Sequence, residues 1–291
     1  MNLYHQYCTL CGAQALKDLP AFKRHYLCKC SNCGHVFARK IPDQATLISH
    51  YDGYGRDDYL SPLTVQSYHR LLDTFEPFRN TGKLLDMGCG IGYFLEEAKK
   101  RGWEVYGTEY STQAVNICAS KGIHMKSGAV SKDMFAPGMF DVVTSFEVIE
   151  HLHNVHDFVS AASLFLRSKG LLYITTPNFN SLLRYALGEK YNVLGYPEHL
   201  SYFTRSTLIR LAESEGFTTT KVLTTGLSVS RCRTSMQNDT NANAVSPVST
   251  DEKIRKAFGG SLVMGNLKNA INGLLNGLGL GDSLKGYFVR R

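Results

Sequence analysis

The chain has 291 residues, enough for one large domain or for one ordinary domain with additional segments. Hydrophobic residues make up 43% of the sequence and charged residues 20%, a composition that excludes wholesale disorder. Most of the net charge of +7 belongs to residues 1–40, which carry six Lys or Arg residues against a single acid, Asp18. The rest of the chain is nearly neutral, so its charge does not favour a polyanionic partner.

The cysteines are unevenly distributed, since five of the eight lie between Cys8 and Cys33. No signal-peptide pattern opens the sequence, and no apolar run reaches the length of a membrane span. We therefore expect a cytoplasmic protein without a membrane span. In that reducing compartment, clustered cysteines indicate metal binding rather than disulfides. Oligomeric state leaves no signature in the sequence.

The cysteine cluster contains two CxxC pairs, Cys8/Cys11 and Cys30/Cys33, each followed by a glycine. Each pair can present two thiolates from one tight turn, and the spacing suits tetrahedral Zn²⁺. The pattern therefore predicts a structural zinc ion. Metal-free thiols are the weaker alternative, because such a short module has too small a core to fold unaided. Cys28 is a fifth thiol, which we interpret as a bystander.

Residues 42–82 are rich in tyrosine and are expected to end in a helix. Over residues 83–226, buried strand-like runs alternate with helix-like runs. Strands are predicted at 83–88, 103–109, 123–128, 140–146, 170–178 and 218–226, and helices at 93–102, 112–122, 154–170 and 207–217. Parallel strands joined by crossover helices predict an α/β fold with a doubly wound, Rossmann-like sheet.

The chain after residue 226 has three parts. Residues 234–250 are polar and low in complexity, which predicts a mobile polar insert. Residues 261–281 are apolar, and a lid or core helix is favoured over a helix on a membrane surface. Residues 283–291 predict a last strand. The predicted organisation is a zinc-ribbon module (1–41), a helical lead-in (42–82), a ligand-binding core (83–226) and a C-terminal region (227–291).

The stretch LLDMGCGIGYF, Leu84–Phe94, carries three glycines directly after a predicted strand. The dinucleotide-binding pattern G-x-G-x-x-G needs its third glycine where this sequence has Tyr93. The G-x-x-x-x-G-K-[ST] pattern of a P-loop is absent as well, so both phosphate-binding interpretations are disfavoured. An ordinary strand-to-helix turn without a ligand remains as the alternative, and two nearby acids argue against it.

These acids are Asp86 and Glu109. Asp86 lies two residues before the first glycine, Gly88, where a negative charge disfavours an anionic ligand and suits a cation. Glu109 ends the next predicted strand, where a carboxylate can bind both ribose hydroxyls of an adenosine. S-adenosylmethionine combines an adenosine with a sulfonium and an ammonium group, so it is the predicted cofactor.

Four segments, LLDMGCGIGYFL, GTEYS, FDVVTSFEVIEHL and GLLYITTPN, resemble the successive motifs of class I S-adenosylmethionine-dependent methyltransferases. They are most similar to the branch that includes ubiquinone-pathway O-methyltransferases and many antibiotic and surface-sugar methyltransferases. The resemblance implies a seven-stranded sheet whose last strand lies antiparallel beside the fifth. It also implies the cofactor-binding residues, which are Asp86, Gly88, Gly90, Gly92, Glu109, Tyr110, Ala129, Val130, Phe146 and Glu147.

Candidate acid–base residues follow the fourth and fifth predicted strands, because the carboxyl ends of parallel strands open onto the ligand crevice. The segment EVIEHLH contributes Glu150, His151 and His153. The segment GYPEHLSYF contributes its own set, which is Tyr196, Glu198 and His199. This second segment resembles the acid–base segment of some zinc-binding sugar C-methyltransferases, which are longer chains.

We predict that His199 is the catalytic base, oriented by Glu198 or Tyr196, because imidazole titrates near neutral pH. The alternative is that His199 only packs in the connection to the next helix. His151 is a catalytic candidate as well, although a structural or cofactor-supporting role is favoured for it. Three tyrosines of the lead-in could cover the cofactor, stack on a substrate or simply pack in the core, and these are Tyr51, Tyr54 and Tyr59.

Three functions remain open from the sequence. The favoured one is a small-molecule methyltransferase with the zinc ribbon on the substrate side, acting on a sugar nucleotide or a related glycan or secondary-metabolite precursor. An rRNA methyltransferase would use the ribbon to bind nucleic acid, but the absence of a dense basic stripe disfavours it. A non-catalytic scaffold that binds the cofactor is least favoured, because no motif is visibly disrupted.

Overall fold

The computed structural model describes residues 3–43, 60–226, 235 and 262–291 of the chain. Within these residues, eleven strands form two sheets. The strands are β1 (Leu16–Asp18), β2 (Leu27–Cys30), β3 (Val36–Ala38), β4 (Lys83–Met87), β5 (Glu104–Glu109), β6 (His124–Ser127), β7 (Phe140–Phe146), β8 (Leu166–Pro177), β9 (Ser201–Tyr202), β10 (Phe217–Thr225) and β11 (Ser283–Arg290). The α-helices are α1 (Pro62–Phe75), α2 (Tyr93–Lys100), α3 (Thr112–Ser120), α4 (Val155–Phe165), α5 (Leu182–Leu187), α6 (Arg205–Ser214) and α7 (Leu262–Leu278).

The larger sheet has seven strands in the order β10-β11-β8-β7-β4-β5-β6. Strands β4 to β8 pair in parallel, whereas β11 is antiparallel to both of its neighbours, β8 and β10. The fifth strand along the chain in this sheet is β8. The predicted Rossmann-like fold, with an antiparallel last strand beside the fifth, is therefore confirmed.

Both faces of this sheet are buried, because crossover helices cover each of them. Alternate residues of β4 belong to different apolar clusters, with Leu85 in one and Leu84 in the other. The first cluster packs α4 and α6 against the sheet, and the second packs α1, α2 and α3. The strands are therefore rigid supports for the polar residues at their carboxyl ends.

One predicted boundary is wrong. A helix was predicted over residues 154–170, but α4 ends at Phe165, and residues from Leu166 onward begin β8. Leu166 has extended backbone angles (φ −70°, ψ 142°), is fully buried and pairs with Phe140. Pairing with β7 and burial of the leucine outweigh the helical propensity of this segment. Gly170 permits the tight path that follows, since a Cβ there would lie 2.9 Å from the Arg167 carbonyl oxygen.

The C-terminal region follows the predicted pattern where it is described. Its apolar segment forms α7, in which Leu275 is buried against the core. The side-chain oxygen of Asn276 accepts from the amide of Thr224, which ties the helix to β10. The polar insert lies outside the described residues except for Ser235, and so do Tyr51, Tyr54 and Tyr59.

The smaller sheet joins the N-terminal module to the rest of the protein. Its order is β1-β2-β3-β9, so three strands of the module pair with one from the distant connection before α6. The pairs are Val36 with Tyr202 and Phe37 with Ser201. The module therefore lies against the segment that carries the predicted acid–base residues. In the part of the chain that the structure describes, no helix has both the length and the apolar character needed to cross a bilayer.

Candidate functional site

The glycine loop connects β4 to α2 and is hydrogen-bonded to the neighbouring strand β5. The amides of Gly88 and Cys89 both donate to the carbonyl of Thr108, each at 3.0 Å. The Thr108 hydroxyl lies 3.2 Å from the Gly88 amide and accepts from it as well. Two bonds from one strand to consecutive amides fix the loop at the carboxyl edge of the sheet.

The three glycines serve different purposes. All of them have positive φ, from 54° to 80°. A Cβ at Gly88 would lie 2.5 Å from Val148, and one at Gly92 would lie 2.7 Å from Ile123. These two glycines let neighbouring chain segments pack closely. A Cβ at Gly90 would meet nothing within 4 Å, so this glycine borders open space where a ligand can approach the backbone.

Asp86 lies at the end of β4 and is only 2% exposed. Burial raises the pKa of its carboxyl from about 3.8 to about 7, and the nearby Glu109 acts in the same direction. The hydroxyl of Thr144 donates to Oδ1 of Asp86 at 2.8 Å and partly counters this effect. A buried carboxylate in this state is stabilised by a cationic ligand and destabilised by an anionic one.

Glu109 lies at the end of β5, directly beside the glycine loop. Its Oε2 accepts from the amide of Gly90 at 2.9 Å, and its Oε1 accepts from the amide of Tyr110 at 2.7 Å. The amide of Gly128 donates to the Glu109 carbonyl, which brings the loop after β6 to the same corner. The two carboxylates that the sequence singled out therefore border one loop.

The other predicted cofactor residues surround this corner at different depths. Tyr110 is half exposed, Ala129 is exposed and Val130 is half-buried, and the last two offer only backbone polar atoms. Phe146 lies at the end of β7 and packs against Phe94, with ring centroids 4.9 Å apart. Glu147 follows with a positive φ of 52°, a conformation that is unusual outside glycine and often marks functional turns.

The four cysteines of the two CxxC pairs converge on one point. Their sulfur atoms all lie within 4.8 Å of one another. The pairs Cys8/Cys33 and Cys11/Cys30 each have sulfurs 3.6 Å apart, close to the roughly 3.8 Å edge of a tetrahedron with Zn–S bonds of about 2.3 Å. The thiol set and its spacing therefore fit a zinc ion. Cys28 lies in β2, outside this set.

Backbone turns hold the cysteines in this arrangement. The amide of Gly12 donates to the Cys8 carbonyl and that of Gly34 to the Cys30 carbonyl, both at 2.9 Å. The two glycines have φ values of 69° and 78°, which the tight turns after each second cysteine require. The amide of Leu10 lies 3.4 Å from the Cys8 sulfur and donates to it.

The predicted acid–base residues meet at the carboxyl edge of the sheet, beyond β7 and β8. Ligand atoms of Glu150, His151 and His199 lie within 4.8 Å of one another, and the two imidazole rings are 4.8 Å apart. Nδ1 of His151 lies 2.7 Å from the carbonyl of Glu198, and Nδ1 of His199 lies 2.6 Å from that of Val193. The structure therefore places candidate acid–base residues of the two segments, which are distant in sequence, side by side.

Tyr196 points from the same turn toward the N-terminal module. Its ring lies 5.0 Å from that of Tyr26, and the Lys40 ammonium lies over both rings, at 4.8 Å from Tyr26 and 5.5 Å from Tyr196. Burial raises the pKa of Tyr196, while the Lys40 charge acts against that rise. Sequence reasoning missed Tyr26 and Lys40, because only the pairing of β3 with β9 brings them here.

Comparisons with known proteins agree with this geometry. A family model described as a methyltransferase domain matches residues 58–222, more than half of the chain. The chain belongs to this methyltransferase family. Together with the glycine loop and its two acids, the match makes it a class I S-adenosylmethionine-dependent methyltransferase.

Several known proteins are similar in sequence to part of this chain. The ubiquinone biosynthesis O-methyltransferase of Burkholderia orbicola (strain MC0-3) is 29% identical over 157 residues, which are 47% of this chain and 68% of that protein. The enzyme of that name from Colwellia psychrerythraea is 30% identical over 148 residues, with 46% and 60% covered. A SAM-dependent methyltransferase structure from Archaeoglobus fulgidus shares the fold, at 19% identity and a TM-score of 0.54 over 85% of this chain and 100% of that one.

Proposed function

We propose that this methyltransferase transfers a methyl group to a hydroxyl of a small molecule, preferably a sugar nucleotide or a related glycan or secondary-metabolite precursor. The observation that carries the proposal is the meeting of Glu150, His151 and His199 at the sheet edge that also carries the glycine loop. An acid–base cluster at this place can activate a hydroxyl beside the methyl donor. The curated relatives named as O-methyltransferases support the same reaction class.

In this proposal the cofactor occupies the corner between β4 and β5. Asp86 pairs with the positively charged methionine half, and Glu109 binds the ribose hydroxyls. Gly90 leaves space for the cofactor to approach the backbone, because a side chain there would project into the open region. Tyr110, with the loop of Ala129 and Val130, borders the adenine.

The methyl transfer is an in-line displacement at the sulfonium. The acceptor oxygen forms a bond to the methyl carbon while the carbon–sulfur bond breaks and its electron pair stays on sulfur. His199 is the proposed base, since its Nδ1–H is held by the Val193 carbonyl and its lone pair therefore lies on Nε2. Glu198 contributes through its carbonyl, which orients His151. Positioning of the two reactants supplies the main acceleration.

The N-terminal module is proposed to bind structural zinc and to form one wall of the acceptor site. Four thiolates complete the coordination of Zn²⁺, so no position remains there for a substrate. Lys40 with the rings of Tyr26 and Tyr196 offers a cation beside aromatic surfaces. That combination suits the pyrophosphate and base of a sugar nucleotide.

The proposal can be tested by supplying the purified full chain with S-adenosylmethionine and three acceptor panels. The panels are sugar nucleotides, catechol-type phenols and rRNA fragments, and mass spectrometry detects a product that has gained one methyl group. We expect a methylated sugar nucleotide. Glu109→Gln should abolish the product, whereas Glu104→Gln, at the exposed start of the same strand, should not. Methylation of RNA alone, or failure to bind the cofactor, would overturn the proposal.

A further inference from the structure

Two cysteines outside the zinc set meet at the glycine loop. Cys89 lies within the loop, and Cys118 lies near the end of α3. Their sulfur atoms are 4.0 Å apart. The Cys118 thiol donates to the Gly90 carbonyl at 3.2 Å, and the Cys89 sulfur lies 3.7 Å from the same oxygen. Two thiols therefore share one carbonyl of the loop that borders the cofactor corner.

Two glycines leave the space that these sulfurs occupy. A Cβ at Gly92 would lie 2.9 Å from the Cys118 sulfur, and a Cβ at Gly107, in β5, would lie 2.7 Å from the Cys89 sulfur. A side chain at either position would have to displace a sulfur. Cys118 is fully buried, whereas Cys89 is half-buried. The pair is therefore closely packed, and Cys89 is the member that a small solute can reach.

The two thiols titrate as a pair. Their mutual hydrogen bond lowers the pKa of Cys118, and the positive charge of Lys121 acts in the same direction. Burial and the carboxylates of Asp86 and Glu109 act against this effect. The Lys121 ammonium is held in place, because it donates to the Ile91 carbonyl at 2.8 Å. When the pair loses one proton, the remaining proton is shared by the two sulfurs. Cysteine reacts with oxidants as the thiolate, so this arrangement favours oxidation.

We propose that Cys89 and Cys118 form a reversible disulfide and that this disulfide weakens binding of S-adenosylmethionine. A disulfide bond is about 2.0 Å long, so the two sulfurs must approach each other by about 2 Å. Cys118 is buried in a helix, whereas Cys89 lies in a loop, and the loop therefore takes up most of the movement. The inference does not depend on which acceptor is methylated.

Oxidation changes the loop in a second way. A disulfide carries no S–H group, so the Gly90 carbonyl loses the thiol that donates to it. Gly90 is also the glycine that borders open space, and its amide donates to Oε2 of Glu109 at 2.9 Å. Movement of this residue therefore disturbs the place where the cofactor approaches the backbone and the carboxylate expected to bind its ribose. Loss of one hydrogen bond corresponds to roughly tenfold in affinity.

The oxidant is a peroxide, which is small enough to reach a half-buried sulfur. Cys89 attacks one peroxide oxygen, and the oxygen–oxygen bond breaks to give a sulfenic acid and hydroxide. Cys118 then attacks the Cys89 sulfur, the sulfur–oxygen bond breaks, and the second hydroxide leaves. The two thiol protons convert both hydroxides to water. The pair is thus oxidised by two electrons, hydrogen peroxide is reduced to two waters, and a dithiol reverses the bond by exchange.

The test treats the zinc-loaded full chain with hydrogen peroxide, at doses that leave its zinc content unchanged. Free thiols are then blocked, and mass spectrometry of an unreduced digest identifies linked peptides. We expect one linkage, between the peptides of Cys89 and Cys118, with the loss of two hydrogens. Calorimetry should find S-adenosylmethionine binding roughly tenfold weaker and restored by dithiothreitol. In a dithiothreitol redox buffer, saturating cofactor should disfavour the disulfide by the same factor, because the two effects are linked.

Two variants separate the disulfide from general damage. Cys118→Ser keeps a hydroxyl that can donate to the Gly90 carbonyl but cannot form the bond, so peroxide should not change its cofactor affinity. Cys28→Ser removes another buried thiol and should respond as the wild-type chain does. Unlinked Cys89 and Cys118, a linkage without loss of affinity, or an equal response from Cys118→Ser would each overturn the proposal. Failure to methylate any acceptor would refute the proposed function and leave this proposal standing.

Discussion

Gly88 and Gly90 permit a direct test of the different purposes assigned to the loop glycines. Their φ values are 80° and 54°, so alanine at either position costs about 1–2 kcal/mol of unfolding free energy from backbone strain. Only at Gly88 would the new Cβ also lie 2.5 Å from Val148, and overpacking of that kind adds about 1–3 kcal/mol. We therefore expect a loss of about 2–5 kcal/mol for Gly88→Ala and about 1–2 kcal/mol for Gly90→Ala.

Chemical denaturation of the cofactor-free chain measures these losses, and calorimetric titration measures cofactor affinity. Gly90→Ala should weaken cofactor binding more than it weakens folding, because its methyl group enters the open space beside the loop. Gly88→Ala should cost about 1–3 kcal/mol less in a chain that already carries Val148→Ala than it does in the wild-type chain. Equal destabilisation by the two glycine variants, or no gain from the double substitution, would refute the packing argument.

Three further predictions concern the cofactor, the zinc module and the acceptor. Since burial raises the pKa of Asp86 to about 7, the folded cofactor-free chain retains a proton that the unfolded chain releases. As the pH rises from about 4 to 7, the unfolding free energy should therefore fall, and affinity for the cationic cofactor should increase. Calorimetry should find both pH dependences weaker in Asp86→Asn. Cys33→Ser should eliminate the zinc measured by elemental analysis and lower the melting temperature, and Cys28→Ser should leave the zinc content unchanged. Lys40→Met should weaken sugar-nucleotide binding in calorimetry and leave cofactor affinity unaltered. Equal sugar-nucleotide binding by the wild-type chain and the variant would contradict the proposed role of the N-terminal module in acceptor binding.

Much of the fold could be predicted because its signals are local. Alternating apolar strands and helices specify the parallel sheet, and the residues at strand ends follow directly from that alternation. The positions of Asp86 and Glu109 illustrate this point. Asp86 is the second-last residue of β4 and Glu109 the last residue of β5, and parallel neighbouring strands end at the same sheet edge, so the two carboxylates had to lie near one loop.

What could not be predicted depends on contacts between distant segments. Leu166 directly follows a helix in the sequence but pairs with Phe140 in the sheet. Whether this residue continues the helix or begins a strand depends on its contact with β7, which lies elsewhere in the sequence. The tautomers of His151 and His199 depend on backbone carbonyls, which carry no sequence signal. Lys40 lies near Tyr196 only because β3 pairs with β9, and no sequence motif indicates that pairing.

The pairing of β3 with β9 also bears on the order in which the chain can fold. Val36 is synthesised early, yet its partner Tyr202 emerges from the ribosome only after most of the large sheet has been made. Until then the three module strands present an open edge, the kind of surface that recruits other strands. Closing the long loop between β3 and β9 also costs conformational entropy, which slows this step of folding. Completion of this smaller sheet should therefore be a late folding event, and the unfinished module should be prone to aggregation in the nascent protein.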